Sequence, residues 1–266
     1  MSKEIYVPVD RIAHKVTKVY APVNGVARGV KKVYKGVNGI ARLVFDAGKN
    51  LAELAVGESV FININSKPVE FIVVNRGIPE NSPLYDSSCD GIWLLMKNIY
   101  RERKWEADNV NDYKNSDIHA YLNGDFLALF DHDVQSAIKQ VKIPYVNGTG
   151  SNGPIASQAN GLSSKVFLPS MYELGLTTSD SSFILIDGAC LEYFKGSSTS
   201  DRVAYLGKNE TGWWTRTPSK SSTNMVFGFT VDGSIIRPTA DGTYGVRPLL
   251  ILPYTAKFDP ATNTIK

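Results

Sequence analysis

The stretch from Trp213 to Leu252 limits the fold of this chain more than any other. Trp213-Trp214 lead into Thr215-Arg216-Thr217-Pro218, and two adjacent indoles carry more apolar area than a surface loop can use. That strand therefore belongs inside a sheet-based core. Arg216 and Arg247, both close to prolines, are expected to donate to backbone carbonyls at strand ends. Met225 to Val231 turns at Asp232-Gly233 into Ser234 to Arg237, and Asp241-Gly242 makes a second turn into Tyr244 to Leu252. Phe227 and Phe229 alternate with Val226, Gly228 and Thr230, which predicts one core-facing side and one lighter side. Trp213, Trp214, Arg216, Gly245 and Arg247 read as a structural frame, with the tryptophans read as core rather than as sugar-stacking rings.

The start of the chain has a different character. Tyr6, Tyr20 and Tyr34 head three copies of a repeat with a period of 14, followed by Val9, Val23 and Val37. Asn24-Gly25 and Asn38-Gly39 then sit between β-rich runs, and Asn-Gly is the preferred centre of a type I′ turn because both positions need positive φ. Three hairpins over residues 1–46 are expected, stacked on each other, on the next domain or on other subunits. Residues 1–45 hold nine Lys and Arg against Glu4 and Asp10, a net of +7 within a chain of net charge +3. The charges recur at repeat positions, which favours a solvated strand face and no nucleic-acid partner.

Residues 47–56 read as a linker, with one short helical turn as an alternative for Leu51 to Val56, and 57–266 as the main domain. Within it Val60–Asn65 and Val69–Asn75 predict a hairpin across Ser66-Lys67-Pro68, and Ile92 to Met96 a central strand. Ser116 is placed to cap a helix over Asp117–Leu122, Phe126 to Phe130 continues the helical pattern, and Asp133 is placed to cap Val134–Gln140. Such helices would cover one face of the sheet, so the fold class is α+β. Residues 147–164 form a long Gly/Ser/Asn loop, Ser170 and Glu173 fit a capping box, and Phe183-Ile184-Leu185-Ile186 is an apolar run.

Ser116 to Asn123, Val166-Phe167-Leu168-Pro169-Ser170, Trp213 to Pro218 and Tyr244-Gly245-Val246-Arg247-Pro248 follow one another in an order that resembles a family of domains from bacterial and prophage proteins. The resemblance covers roughly residues 57 to 255 and implies a C-type-lectin-like domain. Distant relatives would be the formylglycine-generating enzymes and the variable receptor-binding proteins of diversity-generating retroelements. The Tyr-x-x-Val-Asn-Gly units look like segments of phage tail and baseplate-associated proteins. In C-type-lectin-like folds the region between the Trp pair and the last strand forms the ligand face.

That region is rich in polar loops. Ser221, Asn224, Arg237, Thr239, Asp241, Thr243 and Tyr244 are the ligand-binding candidates, an adaptable polar set around an arginine and an aromatic ring. The bland reading is that they are ordinary solvated turns. No HExxH, GxSxG or phosphate-loop pattern occurs, so no catalytic residue is expected. His119 fits a core-edge role better than a catalytic one. Asp131-His132-Asp133 point in different directions on a helix start, and no Glu-Pro-Asn or Gln-Pro-Asp signature accompanies the lectin resemblance, so no metal and no cofactor are expected. Cys89 and Cys190, 101 residues apart, read as free buried thiols, with one bridge as the alternative.

The expectation is a non-enzymatic, tail-associated receptor-binding or adhesion protein whose partners are a host cell-surface protein or glycan and, through residues 1–46, other particle subunits. A homotrimer would suit a fibre-borne module. The start of the chain lacks the apolar segment of a signal peptide and no run is long enough to insert into a membrane, so the expected route is synthesis in the cytoplasm and residence on a virion tail or outside the cell after release. The competing readings are an enzyme on a formylglycine-generating-like fold and a structural decoration protein.

Overall fold

The computed structural model describes residues 49–265 in full and, before them, the backbone of six strands between Tyr6 and Asp46. Those strands pair antiparallel as Tyr6–Val9 with Ile12–Lys15, Val19–Val23 with Val26–Val30, and Lys32–Val37 with Ile40–Asp46. The innermost pairs, Val9 with Ile12, Val23 with Val26 and Val37 with Ile40, bracket the residues expected to turn. Asn24-Gly25 and Asn38-Gly39 themselves lie outside the described residues.

Two sheets organise the rest. The larger runs in the order Val166–Phe167, Leu249–Leu252, Ile92–Met96, Lys67–Arg76, Ser59–Ile64, Thr264–Ile265, Lys257–Asp259, Lys49–Asn50. The smaller runs Arg101–Lys104, Thr243–Val246, Trp213–Pro218, Val226–Phe229, Ile235–Ile236. One two-stranded ribbon joins them. Ile92–Met96 pairs with Leu249–Leu252 in the large sheet, and the continuations of the same two segments, Arg101–Lys104 and Thr243–Val246, pair in the small one. The crossing falls at Arg247-Pro248, where proline supplies no amide to a ladder. Its carbonyl still accepts from the Met96 amide at 2.9 Å, while Tyr100 donates to the Val246 carbonyl at 2.9 Å.

This arrangement corrects the α+β expectation. The protein is predominantly β sheet, with several sheets, and among the described residues the single helix of seven residues is Asp117–Asn123. Ser116 does cap it, accepting from the His119 amide at 3.3 Å. The other helical patterns yield a 3-10 turn at Leu127–Leu129 and the helix His132–Ala137, preceded by Asp131 at the cap position. Asp133 is thus inside that helix rather than capping it. These pieces are too short to layer over a sheet; apolar periodicity over five or six residues is satisfied equally by a single turn packed on strands. The first hairpin of the large sheet turns at Asn65-Ser66, with φ of 50° and 60°, so Lys67 and Pro68 are already strand. Positive φ at two successive residues is the type I′ geometry that matches strand twist.

The segment read as a linker is also more integrated than expected. Lys49–Asn50 forms an edge strand against Lys257 and Phe258, and Leu51 and Leu54 are buried. Around the ribbon the core is aromatic. Trp93 donates from Nε1 to the carbonyls of Gly77 at 2.9 Å and Cys89 at 3.1 Å, with Tyr85 and Phe167 edge-on to its ring. A buried indole N–H needs such an acceptor, and this one fixes the 77–89 loop on the sheet.

Candidate functional site

The smaller sheet is held from below by a buried ionic cluster. Arg216 and Glu173 are both fully buried and meet bidentately, Nη1 to Oε2 at 2.5 Å and Nη2 to Oε1 at 2.7 Å. The guanidinium also donates to the carbonyls of Pro144, Leu168 and Asp187, which fulfils the expectation that Arg216 bonds backbone. Glu173 accepts further from the Ser170 amide at 2.8 Å and the Tyr85 hydroxyl at 2.9 Å. The Ser170/Glu173 capping pair is therefore present, and its carboxylate doubles as the counter-ion of a strand from another part of the chain. Burial, together with the neighbouring Glu173 carboxylate, pushes the Tyr85 hydroxyl well above its usual range.

Asp187 completes the cluster. Its carboxyl is fully buried and accepts from the Thr217 hydroxyl at 2.9 Å. Burial pushes its pKa up to about 6, against the opposing pull of Arg216 and of the Thr217 hydroxyl. The folded state thus holds this proton more tightly than the unfolded chain, where the carboxyl titrates near 3.8. Stability contributed by this group is full below about pH 4 and is lost as pH rises through about 6. Chemical denaturation across that window should show wild type losing stability relative to Asp187→Asn as pH rises, by roughly 3 kcal/mol in all. Parallel curves for the two proteins would show that Asp187 is not the group responsible.

A second buried stack lies beside it. The Arg247 guanidinium sits 4.9 Å over the Trp213 ring, Trp213 packs at 4.8 Å on Phe229, and the Arg202 guanidinium lies 5.7 Å from the Phe229 ring. Trp213 Nε1 donates to the Arg202 carbonyl at 2.7 Å, and Arg247 Nε to the Met96 carbonyl at 2.9 Å. Burial lowers Arg247 to about 10, so it stays charged at neutral pH. Gly245 is required here because a Cβ would stand 2.7 Å from Ile99 Cδ1. Trp213, Trp214, Arg216, Gly245 and Arg247 are all buried in this frame.

Above the frame, at the Ile235–Ile236 edge of the small sheet, side chains of mixed character come to the surface. The Arg237 guanidinium lies 4.3 Å over the ring of Phe183, which is 38% exposed, and Arg237 Nη1 donates to Ser221 Oγ at 3.4 Å. Met225, 36% exposed, bridges to Thr239 across the loop. Asn224 is held by its carbonyl, which accepts from the Ala240 amide at 2.8 Å, and by its side-chain oxygen, which accepts from Ser222 at 2.6 Å. Buried Asn111 ties the loop down, donating to the carbonyls of Ser222 and Met225 at 3.0 and 2.7 Å and accepting from the Gly150 amide. The Phe183 segment is anchored to the same loop, since its carbonyl accepts from the Lys220 amide at 2.9 Å, and to the ionic cluster through Asp187.

Of the ligand-binding candidates, Ser221, Asn224, Arg237 and Thr239 gather at this edge. Tyr244 and Thr243 do not join them: they pair with Arg103 and Lys104 at the opposite edge of the sheet, and the Tyr244 ring packs at 4.7 Å on Trp214. Asp241 is exposed in the turn between the two groups. The second turn thus leads not back to Ser234–Arg237 but across the sheet, a pairing that local turn chemistry does not encode. Phe183 and Met225 were missed because they lie in apolar runs that read as core, although within Phe183–Ile186 Ile184 alone is buried.

The remaining reactive side chains are dispersed. Cys89 and Cys190 are free thiols, both pushed up by burial, Cys89 to about 12. His119 meets Ser164 Oγ at 2.8 Å and is lowered by burial, whereas His132 is exposed. Among the described residues no group of three or more His, Cys, Asp or Glu is placed to hold a metal ion, and no helix is long and apolar enough to cross a membrane. No curated protein and no solved structure matches this chain. Residues 90–254, more than half of it, match the family described as a domain of unknown function, DUF6273, and these residues hold the ribbon, the ionic cluster and the Arg237 edge alike. The chain belongs to the DUF6273 family.

Proposed function

We propose that this protein is a tail-associated receptor-binding protein of a phage or prophage particle, carried outside the cell on the virion, that holds a host cell-surface protein or glycan at the Arg237 edge of its smaller sheet. The observation that carries this reading is the Phe183–Arg237–Met225 group: apolar and cationic side chains displayed on loops beside the fully buried strands Trp213–Pro218 and Val226–Phe229. Large side chains on surface loops, supported by a rigid frame, are what recognition surfaces use. The resemblance to C-type-lectin-like domains and to tail-protein repeats supplies the setting, with residues 1–46 as the attachment to other particle subunits and a homotrimer as the fitting assembly.

The reading is tested by adhesion of the full chain to candidate host cells. The double variant Phe183→Ser/Arg237→Ser should lose binding by at least about tenfold while keeping the wild-type circular dichroism spectrum, since both side chains are outside the core. Tyr244→Ala should weaken binding much less, because Tyr244 faces Trp214 at the other edge. Unchanged adhesion of the double variant would remove this face from the function.

A further inference from the structure

Resting on that binding face, we infer that its partner is a protein segment presenting a carboxylate flanked by apolar side chains. Arg237 is the centre of the inference. Among the described residues it makes no ion pair, and its one hydrogen bond, to Ser221 Oγ, is at the long limit of 3.4 Å. Most of the N–H donors of its guanidinium are therefore open. The group is nevertheless fixed in place, 4.3 Å over Phe183 and 6.0 Å from the ring of buried Phe227. A planar guanidinium already ordered on an aromatic ring is suited to bidentate capture of a carboxylate, because little side-chain entropy is lost on binding.

Charge in the surroundings points the same way. Residues 219–225 and 235–240, the loop and strand that frame Arg237, contain Lys220 and no Asp or Glu. Several carboxylate oxygens of the neighbouring 106–117 segment are engaged locally, while Asp112 Oδ1 is buried without a hydrogen-bond partner among the described residues. Glu106 accepts from the amides of Asp108 and Asp117, Asp117 from that of Ala107, and Asp112 from the Asn115 side chain. The apolar part is Phe183 with Met225, each more than a third exposed.

A neutral sugar fits this face poorly. Sugar stacking needs an open aromatic face, and Arg237 lies over that of Phe183. A carboxylate set between apolar groups uses what is open: the guanidinium edge, Lys220, and the flanks of Phe183 and Met225.

Two measurements on the full chain decide it. In the first, the peptide acetyl-Leu-Glu-Leu-amide and its Gln counterpart are titrated against the protein and followed by NMR. The Glu peptide should bind at least about tenfold more tightly, the preference should vanish in Arg237→Gln, and Arg237→Lys, which keeps the charge but loses the fork, should retain only part of it. Equal binding of the two peptides, or an undiminished preference in Arg237→Gln with its melting temperature unchanged, overturns the inference. In the second, host cells are treated with protease or with periodate before adhesion. Adhesion lost to protease and kept after periodate supports a protein partner. Adhesion kept after protease and lost to periodate overturns it while leaving receptor binding at this face in place. Should untreated cells fail to bind the wild-type chain, the receptor-binding reading falls, and the peptide preference alone decides the chemistry of the face.

Discussion

Arg216→Met is expected to cost about 3–5 kcal/mol, because it leaves the Glu173 carboxylate buried without its counter-ion. The guanidinium also serves three carbonyls, those of Pro144, Leu168 and Asp187, from three separate segments, and each would lose a donor. Against a total stability of about 5–15 kcal/mol for a folded domain, a loss of this size leaves a substantial unfolded fraction at 37 °C or none of the native form. Urea unfolding followed by circular dichroism measures it, with yield of soluble protein as a second readout. Removing both charges in Arg216→Met/Glu173→Leu should recover part of the loss, since no unpaired ion then remains, although the carbonyls stay unserved. A single variant within about 1 kcal/mol of wild type would show that the pair does not hold the sheet.

Trp213→Ala is the second large effect, again about 3–5 kcal/mol, from lost burial and the cavity left behind. Phe229 loses its ring partner, and Arg247 loses the aromatic face on which its buried charge rests. Trp213→Phe separates the contributions: it keeps a ring in the stack and removes the Nε1 donation to the Arg202 carbonyl, a change of about 1–2 kcal/mol. The same unfolding experiment ranks them. Should Trp213→Ala prove no worse than Trp213→Phe, the stack between Arg247 and Phe229 contributes little, and the frame rests on the ionic cluster alone.

The two predictions bear on function through one connection. Asp187 accepts from Arg216 at its carbonyl and from Thr217 at its carboxyl, and the chain that leaves it carries Phe183 to the surface. Loosening the cluster would let the Phe183 segment move away from Arg237 before the sheet itself fails. Binding at the edge should then be lost at milder denaturant concentration than sheet structure, and the two transitions can be read in one titration.

What was legible beforehand was local. The Tyr/Val repeat marked three strand pairs, Ser116 marked a helix start, Ser170 and Glu173 marked their mutual bonding, and the indole pair with Arg216 and Arg247 marked the frame. Each of these depends on interactions within a few residues or on a burial preference too strong to be met at the surface. What was illegible depended on distant partners. The α+β reading failed because short amphipathic runs near Phe126 and Val134 pack as single turns against strands, and nothing within six residues distinguishes that from a longer helix. Phe183 was hidden in an apolar run whose buried member is Ile184, a choice made by the loop at Lys220 rather than by its own neighbours.

Sequence by itself therefore determined that the Trp213 strand is core, that Arg216 bonds carbonyls, and that strands between Tyr6 and Asp46 pair as hairpins, because hydrophobic burial, turn chemistry and hydrogen-bond demand act on the residues that carry them. Only the tertiary structure decided that Glu173 is the counter-ion of Arg216, 43 residues away, that the ribbon changes sheets at Arg247-Pro248, and that Arg237 stands with Phe183 while Tyr244 stands with Trp214. Strand order is set by which faces can be buried together, and that is a property of the whole chain.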